Sequence, residues 1–289
     1  MIVVPWLEWH AAHACNLSCE GCSHLSEFPH NEIVSLETLK IWYSKWNKRI
    51  SPQNMAILGG EPLLNKEIVD IIYMTRDMWN QEYNQYFELV TNGFLLDRYK
   101  NLPRALKETN CVLSISIHHY GTEYQKQTNK ILSLVDKWKD QHDITVKIYY
   151  DNQTPQTTWR KFFKFADDNI EPYHDNDIES SWKYCLVGQE CWQLFEGNIY
   201  KCAPIAYINL HKKKFGLSKN WDPYLKYKPL TPDSTDEEIV DFFKKKAESC
   251  CGMCPSQPPQ IIEKPDPILR KKIFKIKKLS SYERAVNHS

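Results

Sequence analysis

The sequence predicts an α/β fold, an α/β barrel or part of one, on three observations. From Val3 to Tyr150, short runs with apolar residues at every second position alternate with runs of helical period. Strand alternating with helix implies parallel pairing, because a crossover must join parallel neighbours. Short motifs bearing Gly and Asn follow the second and third strands, at the edge where parallel barrels place their chemistry.

Val3 to His10 is the first strand and opens into a cysteine loop, and Leu36, Leu39, Ile41, Trp42, Trp46 and Ile50 give the stretch Leu36 to Ile50 a helical apolar face. Met55 to Leu58 is a short buried strand, followed by Gly59-Gly60-Glu61-Pro62 and a helix through Ile68, Ile71, Ile72 and Met78. Tyr86 to Val90 ends in Thr91-Asn92-Gly93, a turn signal. A short helical stretch to Lys107, a strand Cys111 to Ile117, a long helix from Thr122 to about Asp140 and a strand Ile144 to Tyr150 complete the alternation. Phe162, Phe163 and Phe165 are expected on a last barrel helix, and the polar stretch Asp167 to Ser181 marks a boundary. Beyond it, Trp192 to Phe195, a Glu196-Gly197-Asn198 turn and Ile199 to Cys202 read as a β-hairpin, and Asp236 to Ala247 as a helix capped by Thr235 or Ser234.

A chain of 289 residues with a net charge of +1 has core enough for one large domain or two smaller ones, and no overall field that calls for nucleic acid. The N-terminus lacks the basic start and apolar stretch of a signal peptide, and no run approaches the roughly 20 apolar residues of a membrane span. The ten cysteines are clustered at ligand-like spacings, so metal binding in the reducing cytoplasm is expected rather than disulfides. From Glu263 to Ser289 eight Lys and Arg stand against three Asp and Glu. Leu269 to Tyr282 there has the spacing of a basic amphipathic helix, which could pack over the barrel or meet a membrane surface, nucleic acid or an acidic partner.

Cys15, Cys19 and Cys22 carry the most chemistry. Zinc sites bring paired Cys-x2-Cys knuckles that close a four-ligand shell, whereas a compact three-cysteine loop suits a cubane iron-sulfur cluster with one iron open. The C-x3-C-x2-C spacing after a strand, followed by Gly59-Gly60-Glu61-Pro62, resembles the radical S-adenosylmethionine (SAM) superfamily. Taken alone, Gly-Gly-Glu-Pro is an ordinary surface turn. The resemblance implies a partial (β/α)6 TIM-like barrel over residues 1–170 and a [4Fe-4S] cluster whose open iron chelates SAM. The cluster would cleave SAM reductively to a 5'-deoxyadenosyl radical. It also implies that Gly59, Gly60, Glu61 and Pro62 cradle the methionine moiety, with Glu61 at its ammonium, and that Thr91 and Asn92 lie near the nucleoside. Where the family often has an aromatic before the third cysteine, Gly21 stands, so adenine packing is left to residues such as Leu25 or Phe28.

Period-two patterning places Ser114, Ser116 and His118 on one face of the fourth strand, Lys147, Tyr149 and Asp151 on one face of the fifth, and Glu8 and His10 on one face of the first. The resemblance implies that Ser114 and Ser116 are candidates to hold the SAM ribose or carboxylate. The other polar residues, if they point inward, form a pocket for hydroxyls or amines able to move a proton, with His118, Lys147 and Tyr149 as candidate bases.

Cys185, Cys202, Cys251 and Cys254 resemble the ligands of a twitch or SPASM-like domain, which implies one auxiliary [4Fe-4S] cluster in a smaller region, 171–260, holding the hairpin and a helix; a structural zinc site is the alternative. Residues 261–289 form the basic tail. Cys250 could exchange roles with Cys251, and Cys191 could be a further ligand or a hydrogen-atom donor. Cys111 reads as a buried core thiol. The expected activity is two-electron oxidation of a small polar, sugar- or aminocyclitol-like substrate to a carbonyl. The alternatives are epimerisation with Cys191 as donor, or modification of a peptide. The family's reductants are of flavodoxin or ferredoxin type. A peptide-modifying relative often carries a leader-binding domain before the barrel, whereas here the barrel begins at once. From a different class, the chain could be a zinc-stabilised binding module.

Overall fold

The computed structural model describes residues 1–79, 82, 84, 86–150, 156–157, 161–166, 169–174, 177–185, 190–258, 262–263 and 265–272. Asp151 and the tail beyond Lys272 lie outside the described residues. Its centre is a seven-stranded sheet of order β10-β9-β1-β2-β3-β4-β5. Strands β1 (Ile2–Ala12), β2 (Ile50–Gly59), β3 (Tyr86–Thr91), β4 (Val112–Ile117) and β5 (Val146–Tyr150) pair parallel in sequence order. Helices α1 (Leu36–Ser44), α2 (Ile68–Met78), α3 (Leu102–Thr109) and α4 (Thr122–His142) make the four crossovers.

Alternation explains the layering. Leu7, Trp9, Met55, Ile57, Phe87, Leu89, Leu113 and Ile115 are all buried and give the helices their apolar seat. The residues between them, Trp6, Glu8, His10, Ala56, Leu58, Tyr86, Glu88, Val90, Ser114 and Ser116, share the other face, here called the lumen. Ser35 caps α1 by accepting from Thr38 N at 3.2 Å, and the Tyr43 hydroxyl meets Thr75 Oγ1 at 3.0 Å to tie α1 to α2. Helices α3 and α4 end at Asn110 and Asp143 in the left-handed conformation.

Among the described residues the sheet is open. On the β1 side it continues into β9 (Gln193–Phe195), which pairs parallel with β1 through Glu8 and Gln193, and then into β10 (Asn198–Tyr200), antiparallel to β9. Glu196 and Gly197 turn this hairpin with φ of 51° and 76°. On the other side β5 is an edge that exposes half of Tyr149 and Tyr150. The predicted hairpin is therefore present, but it extends the sheet of the parallel strands.

The predicted last barrel helix is absent where the structure is described. Phe162 and Phe163 lie in a bend, and Phe165 belongs to β7 (Lys164–Ala166), which pairs antiparallel with β8 (Asn169–Glu171). Three aromatics in four residues suit a strand as well as a helix, and Phe162 and Phe163 are both buried without a helical period. A two-residue strand β6 (Gln156–Thr157) pairs with β11 (Ile262–Glu263). Helices α5 (Ile178–Lys183), α6 (Ala203–Phe215) and α7 (Asp222–Leu225) were not anticipated. The helix α8 (Asp236–Lys244) carries the predicted cap, with Thr235 and Glu238 forming a capping box.

Candidate functional site

Cys15, Cys19 and Cys22 line one cavity of about 250 Å³, together with Gly59, Gly60, Thr91, Asn92, Ser116 and His118. The loops that bring them there are tied at the backbone. Gly60 N donates to Ala12 O and Glu61 N to Ala14 O, each at 2.8 Å. A Cβ on Gly59 would lie 2.1 Å from Ala12 O, and one on Gly60 2.4 Å from Ala14 O. These glycines are thus required by the close approach of the cysteine loop itself, a cause the motif alone did not reveal.

Glu61 is fully buried and braces the cavity wall. Its carboxylate accepts from Leu63 N at 2.9 Å, Thr91 Oγ1 at 2.6 Å and Asn92 N at 2.9 Å. Burial outweighs these bonds and pushes its pKa up to about 7. Asn92 Nδ2 reaches Asn16 Oδ1 at 2.8 Å, so the third strand's loop is also laced to the cysteine loop. Pro62 opens the short turn Pro62–Leu64, packed under this brace.

Three thiols and a backbone cradle lining one cavity fit a cubane with an open iron better than a single ion. Among the described residues no group of three His, Cys, Asp or Glu side chains is gathered to hold a metal ion; a cubane spaces its thiolates more widely. Burial, then the nearby Glu61, raises the Cys15 thiol to about 12. Thiolate formation there needs a compensating positive centre, which iron supplies.

A chain segment far in sequence closes the same loop from outside. Ser18 N donates to Pro267 O at 3.2 Å, Arg270 pairs with the buried Glu27, and Glu27 accepts from Gly21 N at 2.9 Å. Lys272 Nζ donates to Leu17 O and Ser26 O, where burial lowers its pKa against the pull of the three thiols. Gly21 adopts φ of 70°, a conformation that an aromatic residue disfavours. Phe28 turns onto His211 and Phe215, and Leu25 packs into the core.

Of the serines, Ser116 lines the cavity, whereas Ser114 lies one layer deeper and donates to Glu88. His118 is at the cavity wall; its backbone N–H donates to the Tyr124 hydroxyl at 3.2 Å. His119 faces Asp266 at 3.6 Å. Lys147 and Tyr149 stand opposite Ser114 and Ser116 at the open edge, and the Lys147 ammonium sits 3.9 Å from the Tyr86 ring centroid. They are therefore at the rim of the lumen, not enclosed in it.

Below the cavity the lumen holds Glu8, bonded by Trp6 Nε1 at 3.0 Å and by Gln193, and Glu88, bonded by the Tyr86 hydroxyl at 3.0 Å and by Ser114. Glu88, Gln193, Tyr207, His13 and His24 were missed from sequence. The alternation of Tyr86, Glu88 and Val90 was the available signal for Glu88; Tyr207 lies on a helix with no such signal.

The second cysteine group comes from three parts of the chain. Cys202 precedes α6, Cys185 follows α5, and Cys250, Cys251 and Cys254 lie in or next to the turn Ser249–Met253. Burial, then the neighbouring Cys185 and more weakly Cys251, raises the Cys202 thiol. Hydrogen bonding from Cys250 lowers the Cys251 thiol. Ser181 Oγ donates to Cys254 O at 3.0 Å, and buried Lys201 pairs with Glu248 at 3.2 Å. Cys191 lies between the two regions: burial raises its thiol first, then Glu8, Cys185 and Cys202. Cys111 is a buried core thiol.

Residues 10–150 match the Radical SAM superfamily. Curated relatives include a "Probable GTP 3',8-cyclase" of Archaeoglobus fulgidus, 33% identical over 45% of this chain and 44% of that protein. Another of the same name, from Methanocaldococcus jannaschii, is 30% identical over 40% and 37%. The chain thus spans less than half the length of these relatives. Among solved structures, "Native anSMEcpe with bound AdoMet" aligns with a TM-score of 0.40 at 20% identity over 50% of this chain and 43% of that one. Streptococcus suis SuiB bound to precursor peptide SuiA aligns at 0.36 and 11% over 86% and 66%. No helix among the described residues is long and apolar enough to cross a membrane. With its cysteine loop, glycine cradle and parallel sheet in place, the segment of residues 10–150 that matches the superfamily is a radical SAM domain.

Proposed function

We propose that the chain cleaves SAM reductively and takes a hydrogen atom from a small polar, sugar- or aminocyclitol-like substrate, which is oxidised by two electrons to a carbonyl. The observation that carries this reading is the convergence of Cys15, Cys19 and Cys22 on a cavity walled by Gly59, Gly60, Thr91, Asn92 and Ser116. Once bound, the cluster and SAM supply the abstracting radical. The chain's own residues hold, orient and shield: three thiolates anchor the cluster, Ser116 and Asn92 offer hydrogen bonds at the cavity wall, and the lumen below receives the substrate.

Oxidation requires the substrate radical to lose one electron and one proton. Cys185, Cys202, Cys251 and Cys254 offer an auxiliary cluster as the electron's destination, and His118, Lys147 or Tyr149 can take the proton at the cavity wall or the lumen rim. By this reading residues 1–170, 171–260 and 261–289 divide the work into activation, electron acceptance and closure, although β9 and β10 share the sheet of the first. Epimerisation is the second reading, favoured by the position of Cys191 between Glu8 and the second cysteine group. The GTP cyclisation named for the relatives fits less well, because among the described lumen residues two buried carboxylates stand against the ammonium of Lys147, and a triphosphate calls for cations.

Anaerobic reconstitution with iron, sulfide, dithionite and SAM tests the reading. Wild type is expected to release 5'-deoxyadenosine and Cys19→Ala none. Changing Cys251 and Cys254 together to Ala is expected to remove roughly half the iron, as when one of two four-iron clusters is lost, and to leave SAM cleavage. Equal 5'-deoxyadenosine from Cys19→Ala would falsify the assignment of the cluster loop.

A further inference from the structure

We propose that Glu8 and Glu88 form an amine-recognition site in the lumen, so that the substrate carries a protonated amino group beside its hydroxyls. The site's place in the reaction rests on the reading above; its geometry does not.

Glu8 is in register with Ala56, and Ala56 with Glu88, on one face of the sheet. The two carboxylates therefore flank a single intervening strand, roughly 10 Å apart at the backbone by two strand spacings. The side chain between them is only a methyl group. Both glutamates are at most 5% exposed. Their fixed partners are neutral donors: Trp6 and Gln193 for Glu8, Tyr86 and Ser114 for Glu88, with Gln193 itself held by the Tyr207 hydroxyl at 2.7 Å. Such donors orient carboxylates without neutralising them, and burial, with the nearby Glu88 a lesser cause, raises the Glu8 carboxyl against the pull of His24. An ammonium between them counters that rise. Lys147 does not serve, since its ammonium sits over the Tyr86 ring at the open edge.

Two orphaned nitrogens point independently to a ligand. His10 is 1% exposed and its Nδ1 meets His13 Nδ1 at 2.9 Å, so its other nitrogen, Nε2, is the free one; it has no partner. His24 Nε2 is also buried without a partner, its ring is 4.7 Å from that of His10, and it lines the cavity. Each of these ring nitrogens can meet a hydroxyl. The cavity residues Leu58, Val90 and Ser116 follow Ala56, Glu88 and Ser114 by two on the same strands, so the carboxylates lie directly beneath the reaction cavity.

The probes are glucosamine, glucose and GTP, titrated calorimetrically into the reconstituted protein in the presence of SAM. Glucosamine is expected to bind at least about tenfold more tightly than glucose, the contribution of one charge-assisted pair. In Glu8→Gln and Glu88→Gln that ratio is expected to fall towards one, with far-UV circular dichroism confirming the fold. The wild-type ratio decides the matter even if a variant does not fold. Equal affinity for the two sugars, no binding of glucosamine, tighter binding of GTP, or a preference that survives in folded variants overturns the proposal. SAM cleavage by the same preparation separates this inference from the one it rests on. Lost cleavage with an intact amine preference removes the radical reading alone; lost preference with intact cleavage removes only this site.

Discussion

At Gly60 one hydrogen atom stands where a methyl group would meet the Ala14 and His13 carbonyls at under 3 Å. Both neighbours are backbone, so neither can swing away, and Gly60→Ala must push the cysteine loop off the end of β2. The expected loss is about 1–3 kcal/mol in the metal-free protein, the range for an extra methyl in a packed site. Because the displaced loop carries the ligands, iron bound per chain should drop as well. Differential scanning calorimetry and iron analysis read the two effects; an alanine variant that melts and loads like wild type would mean that the loop has slack the contacts deny. The motif was legible because its residues are consecutive. Its cause was not, since Ala12 and Ala14 lie more than 40 positions away along the chain. Glu61 teaches the same lesson. Its motif was legible, but not the bonds it accepts from Leu63, Thr91 and Asn92, the last two some 30 positions on.

Segment 265–272 acts as a strap over the cysteine loop, and its hold depends on Arg270 and Glu27, 243 positions apart. Burial raises the Glu27 carboxyl, opposed by Arg270 and by the Gly21 amide. Removing the guanidinium leaves that charge buried, so Arg270→Ala should cost on the order of 3 kcal/mol and speed iron loss to a chelator. Adding Glu27→Gln should recover much of the cost, because a neutral amide needs no counter-charge. If the single and double variants match in melting temperature and chelation rate, the strap is held by something else. Sequence could not show this pairing, for charge at such a separation has no period. Elements with local signals fared better. The strands β1 to β5 and helix α4 were recognisable from alternation and amphipathicity, and α8 from its capping box. Helix α6 escaped because Ala203 to Ile208 are buried on every side, leaving no polar face to set a period. The expected helix at Phe162 to Phe165 failed for the opposite reason, as aromatic residues alone fit either element.

Across the whole molecule, burial has set two groups of titrating side chains against each other. His10, His13, His24, His30 and His211 all have pKa values lowered from 6.5, to about 3 for His13 and His211 and about 4 for His30, with burial the largest cause in each. Glu8, Glu27 and Glu61 have values raised from 4.5, again by burial first. A histidine that stays neutral in the fold contributes stability above pH 6.5 that is lost on acidification, since the unfolded chain then binds the extra protons. A carboxyl that stays protonated in the fold acts in the other sense, costing stability as pH rises from 4.5 to about 7. Between pH 6.5 and 4.5 the five histidines outnumber the three carboxyls, so the metal-free protein should melt at progressively lower temperature as the solution is acidified. Below pH 4.5 the carboxyls are protonated in both states and cease to compensate, while His10, His13 and His211 continue to resist protonation. The fall in melting temperature should therefore steepen there. Glu61→Gln removes one compensating group and should make the decline between pH 6.5 and 4.5 steeper than in wild type. Melting curves at half-unit steps from pH 7.5 to 4 measure both slopes. A melting temperature that holds level or rises on acidification would show that these buried rings take up protons without opening the fold.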